Sequence, residues 1–244
     1  MENPAGGGSG CIDSWVDRRL HRPLSRRVTQ ALLRTPATAT QVTLLSLSTG
    51  LAAGWCFGQG RPWWGVGGLG LFFLSAVLDH SDGELARATA TESAFGHFLD
   101  NLSDGLVALA VVAGMSWAMA RHLPDGDLAL IAQVIAVGLP ACFAIEWRLE
   151  AMRAAVPLRD SRQRILFRIM NTMTSREPLY VFLLIYLLIT INDGAWTWHA
   201  LAWTFAGGLH LFWAVLLALG WRFFGLRAMI HGPTTVGNED TASG

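Results

Sequence analysis

Long apolar runs separated by short polar stretches dominate the chain from residue 40 onward. Six of them match the ~20 apolar residues that a helical membrane span needs: roughly 40–58, 64–80, 102–120, 128–147, 178–193 and 197–220. The fifth is the shortest, but YVFLLIYLLITI is apolar throughout. Ahead of these runs the pattern changes. Ile12, Val16, Leu20, Leu24, Val28 and Leu32 recur every four residues, with Arg18, Arg19, Arg22, Arg26, Arg27 and Arg34 mostly on other positions. That spacing predicts a basic amphipathic helix over 11–35, lying on a membrane surface and broken or bent at Pro23. Residues 1–10 are Gly-rich and expected to be disordered, and 227–244 form a polar tail. No apolar segment follows the N-terminus, so no signal peptide is expected. The pattern therefore predicts an all-α integral membrane protein, six spans (36–226) preceded by a surface helix.

Composition agrees with this pattern. Of 244 residues, 52% are hydrophobic and only 15% charged, and mean hydropathy is +0.38, which excludes an ordinary soluble domain. Net charge is zero, so bulk charge implies no nucleic-acid partner. All 18 basic residues are arginine, and with the N-terminus inside, only Arg61 and Arg121 fall on the outer side. This bias places both termini in the cytoplasm at the plasma (inner) membrane. Trp63, Trp64, Trp117, Trp196, Trp198 and Trp221 stand near span ends, as interfacial aromatics do. Cys11, Cys56 and Cys142 are too few and scattered for a disulfide framework or a zinc site.

The charged residues that change the picture lie between the second and third spans, in DHSDGELARATATESAFGHFLDNLSD. Asp79 and Asp82 are three apart and share a helical face, which Gly83 and Ala86 continue; Gly96, Asp100 and Asp104, four apart, form a second stripe. Two helices joined around Thr89–Ser93 would point four carboxylates into one space at the cytoplasmic face. Anions that close repel one another unless cations lie between them, and hard oxygen donors favour Mg²⁺, Mn²⁺ or Ca²⁺ over zinc. His80 and His97 lie off these stripes and are expected to serve the helix surface or packing rather than ligation; Glu84 and Glu92 are expected to be solvated.

The full spacing, D-x2-D-G-x2-A-R-x8-G-x3-D-x3-D over Asp79, Asp82, Gly83, Ala86, Arg87, Gly96, Asp100 and Asp104, resembles the signature of the CDP-alcohol phosphotransferase family. The preceding stretch, DRRLHRPLSRRVTQALLRTPATATQVTLLSL, looks most like the di-myo-inositol phosphate synthase branch and its bacterial relatives. One position departs. The family usually carries Pro-Asn before the x-x-Thr of its first span, whereas Ala39 and Thr40 precede Gln41, Val42 and Thr43; Thr43 matches, and Thr40 would offer a hydroxyl in place of the amide.

The resemblance implies transfer of an alcohol phosphate from a CDP-alcohol to a hydroxyl acceptor with release of CMP, in phospholipid or inositol-phosphate-type synthesis. It implies that Asp79, Asp82, Asp100 and Asp104 hold one or two Mg²⁺ or Mn²⁺ ions against the pyrophosphate. Asp104 would be the general base. Thr43, Asp79, Asp82, Gly83, Ala86, Arg87 and Gly96 would surround the nucleotide, Gly83 by letting it approach the backbone and Ala86 by leaving room for cytidine. The family tends to dimerise, so a homodimer is expected. The chain as read has no room for a fused cytidylyltransferase, so the donor would be made elsewhere.

A second basic region, WRLEAMRAAVPLRDSRQRILFRIMNTMTSREPLY, supplies Arg153, Arg159 and Arg176 as candidates to bind a phosphate on the acceptor or donor alcohol. Positive-inside topology and contact with lipid headgroups account for the same arginines without a substrate. Two rival functions remain open: a cation or proton transporter, whose intramembrane carboxylates would carry the ion, and a catalytically silent membrane scaffold.

Overall fold

The computed structural model describes residues 17–122, 144, 177–192 and 195–231, and the described residues contain no strand. Helix α1 (Arg22–Leu32) follows one π-helical turn, Asp17–His21. Pro23 stands in the first turn of α1, where its missing N–H removes no intrahelical bond; it marks the joint between the two helical windings. The face that α1 turns toward the protein carries a polar row. Leu20 and Leu24 are exposed, while His21, Ser25 and Thr29, one position further on, are buried. Of the described members of the apolar row, only Val28 and Leu32 pack inward, against Val42, Leu78 and Leu85.

Helix α2 (Ala39–Gly58) begins with a capping box. The Thr38 hydroxyl accepts from the Gln41 amide (3.3 Å) and Gln41 Oε1 accepts from the Thr38 amide (3.0 Å), so two otherwise unpaired donors are satisfied. Helices α3 (Pro62–Ala88) and α4 (Ala94–Ala120) are each 27 residues long, about 40 Å at the α-helical rise. Both therefore extend well past the expected spans and carry the aspartates on continuous helix. Helix α5 (Glu177–Asn192) covers the short fifth run, and α6 (Ala195–His231) passes the position at which a polar tail was expected to begin. By length and apolarity, Pro62–Ala88, Ala94–Ala120 and Trp198–Arg222 can cross a membrane. Apart from Ala144, the expected span 128–147 lies outside the described residues.

Tertiary contacts divide the chain into two compact units. Residues 13–135 and 176–206 form one; of the other, the described residues are Ala144 and α6 from Gly207 onward. In the first unit α2 is the central helix, with α3 and α4 packed along it. Its crossing with α4 is built on small residues: a Cβ on Gly54 would lie 2.5 Å from the backbone carbonyl of Ala110, and one on Gly114 would run into the carbonyl oxygen of Gly54. Close backbone approach of this kind is how membrane helices gain packing where there is no hydrophobic drive between them. On its other side α2 meets α3 through a reciprocal pair. Ser46 Oγ donates to the Ser75 carbonyl (2.9 Å) and Ser75 Oγ to the Ser46 carbonyl (3.0 Å), both buried. Phe57, Phe72, Val111, Met115 and Met119 form the core with Tyr186 and Trp198, and Tyr186 Oη donates to the Phe57 carbonyl at 2.6 Å.

Candidate active site at the ends of two helices

Asp79, Asp82, Gly83, Ala86 and Arg87 occupy the last three turns of α3. The helix is closed by a left-handed residue, Ala90 (φ 52°), with the Thr91 amide donating to the Ala86 carbonyl (2.9 Å) and the Ala90 amide to the Arg87 carbonyl (3.3 Å). These are the two bonds of a Schellman stop. Four residues after Thr89, Ser93 caps α4, its hydroxyl accepting from the Gly96 amide at 3.0 Å. The joint thus falls at Thr89–Ser93, where the carboxylate spacing predicts it. Gly96 serves this cap, for an added Cβ would meet Ser93 Oγ at 3.2 Å.

Asp82 is the most enclosed of the four aspartates, at 4% exposure. Buried Thr43 of α2 lies beside its carboxylate, and the charges of Asp79 and Asp104 reach it. The Thr43 hydroxyl also donates to the Ala39 carbonyl, 3.1 Å away. Asp82 Oδ2 is buried with no hydrogen-bond partner among the described residues. Asp79 is 13% exposed, its Oδ2 3.8 Å from His80 Nδ1. Asp100 and Asp104 are half-buried, one turn apart on α4. Arg87 is exposed and folds back along its own helix, so that a Cβ on Gly83 would meet its Nη1 at 3.3 Å. Thr43, Asp79, Asp82 and Asp104 are therefore brought together from three helices. Arg153, Arg159 and Arg176 lie outside the described residues.

A divalent ion suits this donor set. A buried carboxylate oxygen without a partner is costly, by several kcal/mol for an ionised group, unless a cation compensates it. Asp82 Oδ2 is such an atom. Among the described residues, no three Asp, Glu, His or Cys side chains are already drawn together as a metal cage. The oxygen chemistry fits a hard divalent cation; a closed coordination shell is not preformed.

Two polar features near the site escaped the sequence pattern. Glu84 is not solvated as expected: its Oε1 accepts from Ser25 Oγ and its Oε2 from Thr29 Oγ1, each at 2.9 Å. Buried His21 places Nε2 3.0 Å from Tyr180 Oη, and its ring lies edge-on to His80 at 5.4 Å. The signal for both was a polar row, His21, Ser25 and Thr29, at the same four-residue spacing as the apolar one.

Helix ends that bring paired aspartates and a buried threonine together, on helices able to cross a membrane, define a helical membrane protein with an acidic, cation-suited site. The CDP-alcohol phosphatidyltransferase family pattern matches residues 36–209, and the chain belongs to that family. A protein of Thermococcus kodakarensis named bifunctional IPC transferase and DIPP synthase is 32% identical over 109 residues, which is 45% of this chain and 24% of that one. The CDP-diacylglycerol–glycerol-3-phosphate 3-phosphatidyltransferase of Cereibacter sphaeroides is 30% identical over 122 residues, 49% of this chain and 55% of that one. The chain thus spans between about a quarter and about half of the length of these curated relatives. Among solved structures, apo phosphatidylinositol phosphate synthase of Mycobacterium tuberculosis shares the fold at a TM-score of 0.55 and 20% identity, covering 80% of this chain and 95% of that one.

Proposed function

We propose that this protein is a metal-dependent CDP-alcohol phosphotransferase, which moves an alcohol phosphate from a CDP-alcohol to a hydroxyl acceptor and releases CMP. The observation that carries this reading is the buried, unpartnered oxygen of Asp82 within reach of Thr43, Asp79 and Asp104, on a chain of this family. Asp79, Asp82, Asp100 and Asp104 would hold one or two Mg²⁺ or Mn²⁺ ions, which would supply positive charge against the pyrophosphate and against the charge that builds in transfer.

The chain's own residues supply the rest. Thr43, Gly83, Ala86, Arg87 and Gly96 line the nucleotide half of the donor. Asp104 accepts the proton of the acceptor hydroxyl as its oxygen bonds to the phosphorus carrying the alcohol. The bond from that phosphorus to the bridging oxygen breaks in the same exchange, and CMP leaves with the bonding pair. Arg153, Arg159 and Arg176 bind a phosphate on the acceptor or on the donor alcohol. Lipid or inositol-type alcohols are the substrates we favour, with glycerol phosphate or inositol phosphate as acceptor; relatives named as an IPC transferase and DIPP synthase and as a CDP-diacylglycerol–glycerol-3-phosphate 3-phosphatidyltransferase support this reading.

This reading carries the architecture with it. Residues 36–226 make six spans, α1 rests on the cytoplasmic surface among membrane lipids, and both termini and the site face the cytoplasm of the plasma (inner) membrane. The working form is a homodimer. Purified full-length protein in detergent, given Mg²⁺ and a matched donor and acceptor, should release CMP. A panel of CDP-diacylglycerol and CDP-inositol with inositol phosphate, glycerol phosphate and inositol tests both the class and the substrate.

A further inference from the structure

Helix α1 braces α3 from the side away from the carboxylates. At one end His21 meets Tyr180 of α5 and lies against Phe73 of α3. At the other, Val28 and Leu32 pack on Val42, Leu78 and Leu85. Between them Ser25 and Thr29 donate to the two oxygens of Glu84, and Ser81 Oγ, itself donating to the Val77 carbonyl at 2.7 Å, approaches the Ser25 carbonyl at 3.4 Å. Glu84 follows Asp82 by two residues, about 200° round the helix, so it sits on nearly the opposite face. A carboxylate that accepts from two hydroxyls makes charge-assisted bonds of fixed direction. Rotation of the α3 end would break both bonds and swing Asp79 and Asp82 together.

Among the described residues, α3 and α4 both lean on α2, and the close packing runs along α2 rather than between α3 and α4. The angle at which Asp79 and Asp82 face Thr43 and α4 is therefore set by α2 on one side and α1 on the other. We propose that Glu84 is a positioning residue: pinned by Ser25 and Thr29, it fixes the rotation of the α3 end and so the aim of Asp79 and Asp82. The proposal rests on the reading of those aspartates as cation and nucleotide residues. It also gives α1 a role beyond surface attachment, since a helix presenting only an apolar face could not hold a carboxylate.

The test is binding of Mn²⁺ with CDP to full-length protein in detergent, followed by electron paramagnetic resonance, alongside thermal melting. The variants are Glu84→Ala, Glu84→Gln and, on the other helix, Ser25→Ala/Thr29→Val. Loss of the residues that orient metal ligands commonly weakens metal binding by about 10- to 100-fold. The expected result is Mn²⁺·CDP binding about tenfold weaker in Glu84→Ala and in the α1 double variant. Glu84→Gln, which keeps an acceptor oxygen, should fall between these and wild type. A lower melting temperature with wild-type affinity in either folded variant would overturn the proposal, because Glu84 would then only staple two helices. If Glu84→Ala does not fold, the α1 variant decides. Failure of wild type itself to bind Mn²⁺·CDP would overturn the reading of the site, and the positioning role with it.

Discussion

Thr43 of α2 and Asp82 of α3 are both buried, and the threonine lies beside the carboxylate. The register behind this contact is set one turn away along α2, where Ser46 and Ser75 exchange hydrogen bonds through each other's carbonyls. A threonine 36 residues from the first aspartate of the signature is thus delivered to the last turns of α3 by a serine pair that carries no chemistry itself.

Asp82→Asn separates the cost of the buried charge from its use. Without metal, the variant should melt at or above the wild-type temperature, because an uncompensated buried carboxylate becomes a neutral amide. With Mn²⁺ at about 100 times its dissociation constant, binding should stabilise wild type by about 2.7 kcal/mol, a rise of several degrees, and leave the variant where it was. Melting scans with and without Mn²⁺ read both signs. A variant destabilised without metal would mean that Asp82 serves the fold.

The α2–α4 crossing should not accept a methyl group. Gly54→Ala places its Cβ against the backbone of Ala110, which cannot swing aside as a side chain would, so the helices must part. A loss of about 1–3 kcal/mol is expected, and with it reduced CMP release, because α4 carries Asp100 and Asp104. Gly70→Ala is the control: among the described residues nothing lies within 4 Å of its Cβ, and alanine is the better helix former by up to about 1 kcal/mol. Melting temperature and CMP release measured on both proteins decide the matter. Equal behaviour would count against a tight crossing.

Ala90 adopts φ 52° at the stop of α3, a conformation that costs an L-residue with a Cβ about 1–2 kcal/mol. Ala90→Gly should therefore raise stability by about 1 kcal/mol, seen as a higher melting temperature, and leave CMP release unchanged. Ala90→Val should do the reverse. A β-branched residue tolerated there without loss would show that the Schellman stop does not set the turn.

The carboxylate helices and their joint were legible because every signal there is local. The aspartate spacing follows helical geometry, Ser93 is a good cap, and no Gly or Pro interrupts α3 between Gly83 and Ala88. The polar contacts of α1 were not legible. Rows Leu20–Leu24–Val28 and His21–Ser25–Thr29 lie about 100° apart on one helix, and the sequence marks only the apolar first as a face. Ser25 and Thr29 of the second meet α3, where Glu84 accepts from both hydroxyls and Ser81 approaches the Ser25 carbonyl. Such a match between distant polar residues is invisible to a one-dimensional pattern. The far end of α6 was hidden for a different reason. Arg222 and Arg227 end the apolar run but not the helix, which reaches His231.

Phosphoryl-type transfer at the four aspartates, with Asp104 as base, is tested by CMP release from purified full-length protein with Mg²⁺ or Mn²⁺, comparing wild type with Asp104→Asn across the donor and acceptor panel. The predicted result is release with one matched pair, abolished by chelator and reduced in Asp104→Asn by at least about 100-fold, the scale expected for loss of a general base. CMP release retained at the wild-type rate by folded Asp104→Asn would contradict the assignment of the base. Release from no pair by a wild type that also fails to bind CDP with metal would contradict the account as a whole.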